Sequence, residues 1–590
     1  MTSATDTYLL LRAFADELAR CGMRSACTSP GSRSAPLALT LAREPRLHCY
    51  SHIDERCAGF FALGLAKASS LPVAVACTSG TAAAELLPAA IEAREARVPL
   101  LLLTADRPPE LRETGAGQAI DQLKLFGGAA KWFFEVGTHD ADAERLHWMR
   151  TLACRAYITA LEGRPGVVHL NFALREPLVT DEPLADDSTG RANGAPYVRR
   201  ATVRPPRTAD ARLREIVGAA RRGVVVAGRD ERHGAHGERP LGRAAAMFAE
   251  AAGWPLLADP LSGARRGEAA VAHYDALLRN AGFSALLQPD LLLRIGDLPV
   301  SKPLRTWLAG LADVPQVALD PENAWQDPAA VLSDSFGVDP DDALDALADV
   351  VVSADEQWLA RWRSGDELAA ESILGVLADG GLCEPAVASE LGVLLPQAAT
   401  LFVASSMPVR DIETFWPVRA DPPRVLCNRG ANGIDGIVSS AFGAAASGDG
   451  PVVLLIGDVA LAHDIGGLLA ARRLGLKLTI VLLDNGGGGI FDFLPVANAA
   501  IARRSEPSQD AEQDIYTRHI ATPTGLDFSA AASLYGLSHE RAEDVPGFRA
   551  ALERALAGEN SSIVEVRGDR EANVQLHGRV WSAVSAALGS

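Results

Sequence analysis

The chain has 590 residues, room for about three domains at roughly 150–200 residues each. A formal net charge of −18 with no Lys/Arg-rich run excludes a general nucleic-acid binder, and no uninterrupted apolar stretch is long enough to span a membrane. The eight cysteines are scattered without CxxC or zinc spacing, as expected of reduced thiols. The opening MTSATDTYLLLRAF lacks a basic segment followed by an apolar core, so a secretory leader is not expected and the cytoplasm is the expected location.

In the first third, residues 5–21 predict an amphipathic helix. Arg24–Thr28 predicts a strand stopping at Ser29-Pro30-Gly31-Ser32-Arg33-Ser34, and a helix pattern follows over Pro36–Ala42. His48–Tyr50 is a short strand. After Ser51-His52-Ile53-Asp54-Glu55 comes a small-residue helix, Ala58–Ala68, which Asp54 or Ser51 can cap. The strand Leu71–Cys77 ends in Thr78-Ser79-Gly80-Thr81, before a helix over Ala82–Ala93. The strand Val98–Leu103 ends in Thr104-Ala105-Asp106-Arg107. Thr114–Gln118 is a glycine-rich loop with a polar tip, residues 141–160 predict a helix and Gly166–Leu170 a strand. Strand, polar turn and helix repeating in this way define an α/β, doubly wound parallel sheet, with functional residues at strand carboxyl ends. Ser32, Arg33, Glu55, Thr78, Ser79 and Arg107 all fall there.

This first domain is expected over 1–183, a linker over 184–206, a central domain over 207–352, a helical connector over 353–370 and a last domain over 371–590. The central domain predicts strands at Gly223–Ala227, Leu291–Ile295 and Gln316–Leu319. It has no GxGxxG with a partner acid and reads as structural, apart from Ser301-Lys302, which can reach a neighbouring site. The last domain opens with a helix, Glu384–Leu395. A strand, Thr400–Ala404, then ends in Ser405-Ser406-Met407-Pro408-Val409-Arg410. Val425–Asn428 leads into Arg429-Gly430-Ala431-Asn432-Gly433-Ile434 and a helix over Val438–Ala446. Two apolar runs, Val452–Ile456 and Leu478–Leu483, flank a helix pattern over His463–Leu474. Ala502–Asp514 reads as mobile, and Ser562–Val566 is the last strand.

The two flanking runs carry the chemistry. One ends in Gly457-Asp458 and the other in Asp484-Asn485-Gly486-Gly487, so Asn485 lies 27 residues beyond Asp458, about one crossover. Hard oxygen ligands at neighbouring strand ends, with glycines permitting close approach, suggest Mg²⁺ holding a diphosphate.

Two similar α/β domains, one with a lone carboxylate (Glu55) and one with a metal–diphosphate signature, give the layout of thiamine diphosphate enzymes, whose Gly-Asp…Asn fingerprint Gly457-Asp458…Asn485 resembles. SPGSRSAPL (29–37), HIDER (52–56), TSGTAAAELLPA (78–89), LTADRPPELR (103–112), GAGQAIDQ (115–122), SSMPVRD (405–411) and NRGANGIDG (428–436) are similar to the 2-succinyl-5-enolpyruvyl-6-hydroxy-3-cyclohexene-1-carboxylate (SEPHCHC) synthases of menaquinone biosynthesis, over essentially the whole chain. The resemblance implies a fold of pyrimidine-binding, central and diphosphate-binding domains. It implies Mg²⁺, or Mn²⁺ in its place, on Asp458, Asn485 and the Gly487 carbonyl. Glu55 would hydrogen-bond the aminopyrimidine of thiamine diphosphate and favour the tautomer that takes the C2 proton; Ile434 would hold the cofactor bent, with Thr78, Ser79 and Gly457 against it.

The implied substrates are 2-oxoglutarate and isochorismate, both dicarboxylates. Arg33, Arg107, Arg410 and Arg429, with Lys302, are the expected carboxylate partners; Ser32, Gln118 and Ser406 would hydrogen-bond around the reacting atoms, and Ile490 and Phe491 would pack there. A homodimer with active sites at the subunit interface is implied, with a tetramer left open. The sequence departs from the family pattern at Asp484, at the glycines 486–489, at Pro303 and at Thr524, and the four glycines are expected to loosen their loop. A decarboxylase or carboligase of the acetohydroxyacid synthase type is the competing enzyme; Arg33, Arg107 and Arg429 argue against it, because its substrates are smaller or CoA-linked. A catalytically silent relative is disfavoured by the joint presence of Glu55, Asp458 and Asn485.

Overall fold

The computed structural model describes residues 3–187, 189–200, 210–230, 242–350, 354–499 and 515–589. The stretch Ala502–Asp514, the end of the 184–206 linker and the start of the 353–370 connector lie outside the described residues.

Three parallel sheets organise the chain. The first contains β1 (Ser25–Thr28), β2 (His48–Ser51), β3 (Val73–Cys77), β4 (Leu100–Asp106), β5 (Ala130–Glu135) and β6 (Val167–Ala173), in the order β2-β1-β3-β4-β6-β5. The second contains β7 (Gly223–Ala227), β8 (Leu256–Ala258), β9 (Leu291–Ile295), β10 (Gln316–Leu319) and β11 (Asp334–Phe336), in the order β8-β7-β9-β10-β11. The third contains β12 (Thr400–Val403), β13 (Arg424–Leu426), β14 (Val452–Gly457), β15 (Thr479–Asp484), β16 (Ser538–Ala542) and β17 (Ser562–Arg567), in the order β13-β12-β14-β15-β17-β16. Counted within each sheet, all three begin 2-1-3-4, and the first and third match throughout. Chain direction across the sheet reverses beside the first strand of each, which opens a crevice at the carboxyl ends of β1 and β3 and, equivalently, of β12 and β14.

The central strands are buried, β3, β4 and β6 of the first sheet along their length and β14, β15 and β17 of the third up to but not including their last residue, as parallel strands covered by helices on both faces require. Strands β5, β8, β11 and β16 are not legible as apolar runs. β5 (AKWFFE) and β16 (SHERA) are half-exposed edge strands, and β8 and β11 have three residues each. β4 also runs three residues further than its apolar pattern, through Thr104 and Asp106. Both side chains are buried but bonded: Thr104 donates to the Asn171 Oδ1 at 2.8 Å, and the Asn171 amide donates to Asp106 at 2.8 Å.

The helix expected over His463–Leu474 begins earlier and is interrupted. A helix spans Asp458–His463, a 3-10 turn Ile465–Leu468 and a second helix Leu469–Leu474. At the break, the buried Asp464 carboxylate accepts the Ser439 backbone N–H at 2.7 Å and the Ser439 hydroxyl at 3.2 Å.

The chain forms two compact units. One comprises Met1–Val203, Asn428–Gly448 and His463–Leu478; the other comprises Arg204–Cys427, Asp449–Ala462 and Thr479–Ser590. Within the first, the Glu55–Ser69 helix lies against the Ile437–Ala445 helix at backbone contact. A Cβ on Gly64 would sit 1.9 Å from the Ser440 carbonyl oxygen, and one on Gly443 would sit 2.0 Å from that of Phe61. The Ser440 hydroxyl donates to the Phe60 carbonyl at 3.0 Å, and Asn428 donates to that hydroxyl at 3.0 Å. Gly64→Ala forces the pair apart and is expected to lower stability by about 1–3 kcal/mol, read from urea unfolding; an unchanged midpoint would show that the helices do not pack this closely.

Candidate active site

Glu55 is the first residue of the Glu55–Ser69 helix. Asp54 caps that helix, its carboxylate accepting the backbone N–H of Arg56 at 2.8 Å and of Cys57 at 3.2 Å. Burial raises the Glu55 carboxyl above its ordinary value, and the neighbouring charges of Asp54 and Glu85 add to the shift. The turn after Glu55 is held by Asp464, which faces the Cys57 thiol at 3.7 Å and the Arg56 guanidinium at 3.9 Å.

Around the crevice at β1 and β3, Gly31 brings its turn against Thr78, where an added Cβ would lie 2.3 Å from the Thr78 Cβ. Ser32 is exposed on that turn. Arg33 is buried and spans to the other side, donating to the Leu174 carbonyl at 2.8 Å and to Glu176 at 2.9 Å. Arg107 follows β4 and donates to the Ser79 hydroxyl at 2.8 Å and to the Gly117 carbonyl at 2.7 Å, joining the β3 end to the glycine-rich loop. Gln118, exposed at φ 55°, sits on that loop.

Sequence reasoning passed over Gln122, which fixes the same loop. Its side-chain oxygen accepts the Gly80 N–H at 2.9 Å, while its amide donates to Asn171 at 2.9 Å and to the Ala105 carbonyl at 3.1 Å. The available signal was its place in the GAGQAIDQ motif. Glu92 was also missed. Its buried carboxylate accepts the backbone N–H of Gly430 at 2.8 Å and of Ala431 at 2.6 Å, with Lys67 3.8 Å away, and so pins the loop that carries Arg429 and Ile434. Nothing local in the sequence marks it, because the backbone it bonds lies more than 300 residues on.

In the second unit, β14 and β15 pair side by side, with Gly457 opposite Leu483, and present Asp458 and Asn485 at their carboxyl ends. Asp458 is 2 % exposed, and its Oδ2 has no hydrogen-bond partner among the described residues. Burial pushes its carboxyl up to about 6; the N–H of Val459 pulls it down, and the Asp484 charge pushes it further up. The Asn485 amide nitrogen donates to Glu384 at 2.8 Å, which leaves its Oδ1 likewise without a partner. Gly487 follows at φ 138°, where a Cβ would meet the Ala521 carbonyl oxygen at 2.6 Å; Gly488 and Gly489 would collide with Phe491 and with the Asn485 amide. Gly487, Gly488 and Gly489 therefore have a packing reason, and Gly486 has a backbone one, its φ of 72°. Asp484 faces Arg567 at 3.6 Å. Two buried, unsatisfied oxygens beside a glycine backbone fit a hard divalent cation.

Ser406 sits at the end of β12 with φ 76°, and Arg410, one helical turn on, donates to its carbonyl. Ile490 is half-buried and Phe491 36 % exposed on the turn after the glycines. Lys302 is exposed at the start of the Lys302–Gly310 helix. The neighbouring Ser301 is structural: it caps that helix through the Leu304 N–H at 3.2 Å and donates to Asp275 at 2.7 Å.

Family models match the chain in three places: the thiamine pyrophosphate enzyme N-terminal binding domain over residues 10–125, the middle domain over 191–403 and the C-terminal binding domain over 410–566. Fold and matches together define a thiamine pyrophosphate-dependent enzyme. Among curated relatives, the 2-succinyl-5-enolpyruvyl-6-hydroxy-3-cyclohexene-1-carboxylate synthase of Geobacillus kaustophilus is 42 % identical over 600 residues, covering 100 % of this chain and 99 % of the relative. Those of Chloroflexus aurantiacus and Listeria monocytogenes are 41 % and 40 % identical, each covering 98 % of this chain and 96 % and 97 % of the relative. The chain belongs to the SEPHCHC synthase family.

Burial lifts Asp464 to about 6 against the Ser439 donors. A carboxyl raised in the folded state favours folding most below its ordinary value, and that contribution is lost as pH rises through about 6. Asp464→Asn should therefore gain stability relative to the parent protein between about pH 4 and pH 6, by at most about 3 kcal/mol, and level off above. A pH-independent difference in urea midpoints would show that Asp464 does not titrate in that window.

Proposed function

We propose that this chain joins the four-carbon remainder of 2-oxoglutarate to isochorismate with loss of CO₂, giving SEPHCHC in menaquinone biosynthesis. The observation that carries the reading is the pair of buried, unpartnered oxygens of Asp458 and Asn485 at adjacent strand ends, in a chain about 40 % identical to named synthases over nearly its full length. Asp458, Asn485 and the Gly487 carbonyl would hold Mg²⁺ or Mn²⁺, and that cation the diphosphate. Thiamine diphosphate, when bound, supplies a nucleophilic carbon and an electron sink.

The protein's own groups then bind, orient and move protons. Glu55, its carboxyl raised by burial, is suited to holding a proton shared with a ring nitrogen. Ile434, on the loop that Glu92 pins, would shape the cofactor's conformation, and Thr78, Ser79 and Gly457 would line its binding surface. Arg33, Arg107, Arg410 and Arg429, with Lys302, supply the cations that two dicarboxylates need in a protein of net charge −18. Arg107 and Arg410 already lie beside Ser79 and Ser406, at the ends of β3 and β12. Gln118 and Ser32 are exposed on turns at the same sheet edge and can donate to a substrate; Ile490 and Phe491 offer apolar contact.

The purified protein with thiamine diphosphate, Mg²⁺ and both substrates should consume isochorismate and release CO₂ in equal amounts. CO₂ release with isochorismate untouched would favour a simple decarboxylase.

A homodimer in which Glu55 of one copy serves the metal clamp of the other is part of the reading. Glu55→Gln and Asp458→Asn should each be inactive alone. Co-expressed, they should recover about a quarter of the parental activity, because random pairing gives half mixed dimers with one intact site each. No recovery in isolated mixed dimers would place both residues in sites built from a single copy.

A further inference from the structure

The Asn485 side chain has a problem of orientation. Its amide is nearly symmetric in shape, so a half-turn about its last bond exchanges oxygen for NH₂. With the oxygen outward it offers a lone pair to a cation; with NH₂ outward it repels one. In this chain the nitrogen faces Glu384, donating to Oε1 at 2.8 Å, and the oxygen is the atom left without a partner. A carboxyl keeps an acceptor oxygen in either protonation state; with Oε1 accepting the Nδ2–H, the NH₂ faces Glu384 and the amide oxygen faces away.

Glu384 is itself firmly placed. It opens the Glu384–Leu394 helix, Pro385 follows it in the first turn, and it is 5 % exposed. It stands 101 positions from Asn485 in the chain, outside every motif that points to the site.

We propose that Glu384 is the positioning residue of the metal clamp: it holds the Asn485 amide so that Oδ1 is presented to the divalent cation. The inference rests on the metal reading given above and adds a residue to it. Outer-shell carboxylates that orient a ligand are worth about 10–100-fold in metal affinity.

The test titrates Mn²⁺ into the full-length protein with thiamine diphosphate and follows the loss of the free-ion electron paramagnetic resonance signal. Glu384→Met, apolar and of similar volume, should weaken Mn²⁺ binding by about 10–100-fold. Glu384→Gln, which keeps an acceptor oxygen, should stay close to the parent, and Asp458→Asn should lose the ion. Parental affinity in Glu384→Met would overturn the proposal while leaving the clamp standing. Failure of the parent protein to bind Mn²⁺, or no effect of Asp458→Asn, would instead overturn the clamp and the proposal with it.

Should Glu384→Met not fold, a double-mutant cycle in the metal-free protein reads the same contact. Asn485→Asp removes the amide donor and sets a second carboxyl against Glu384, which should lower the melting temperature, and adding Glu384→Gln, whose amide can donate to the new carboxylate, should restore it. Strict additivity of the two changes would overturn the proposal.

Discussion

A buried carboxyl with one oxygen left unsatisfied is the constraint around which the diphosphate end of this molecule is built. Asp458 lies out of water with one oxygen unsatisfied, beside an Asn485 oxygen in the same state. Left alone, such groups cost several kcal/mol, and the rise of the Asp458 carboxyl to about 6 is the same cost seen as acidity. A fold that keeps them must hold them rigidly, or they would turn to find partners of their own. Parallel strands do this: β14 and β15 pair side by side and are buried through Ile456 and Leu483, one residue short of the residue before each ligand. Gly487, Gly488 and Gly489 let the backbone come close where any side chain would collide.

The same logic is repeated in the first unit without a metal. Two sets of hydrogen bonds, one of Arg107 with Ser79 and Gly117 and one of Gln122 with Gly80 and Asn171, tie a loop to β3, β4 and β6. Glu92 does comparable work for the Arg429 loop, using one carboxylate for two successive N–H groups. In both cases the side chains expected to meet substrate stand on backbone that other polar side chains immobilise. That is what a site needs if its donors are to be in place before the ligand arrives.

How much of this was legible follows from where the information lies. Buried parallel strands are continuous apolar runs bounded by polar turns, so β3, β7, β9, β10, β14, β15 and β17 stand out, and Asp458 and Asn485 stand out as an acid and an amide at their ends, whereas Glu55, at a helix start, is marked by the family resemblance and not by its position. Edge strands such as β5 and β16 are half polar and carry no such run. By sequence the end of β4 reads as a turn, because Thr104 and Asp106 look solvated, whereas Asn171 on the neighbouring β6 bonds both. Asp464 breaks a helix that its apolar spacing would continue, since its carboxylate is claimed by Ser439. Glu92 and Gln122 act only through partners that the fold brings in, so residue type and spacing cannot reveal them.

The Gly64–Ser440 contact has a consequence for synthesis. The helix that carries Glu55 is finished early in translation, but the small-residue face it packs against comes from Ile437–Ala445, and the segment holding its first turn from His463–Leu478. At about 5–20 residues per second, the nascent first unit waits on the order of tens of seconds with an apolar helix face uncovered. That interval is one in which a chaperone has reason to hold this chain, and in which truncated products ending before residue 437 would be marked for aggregation or proteolysis rather than released as a stable domain.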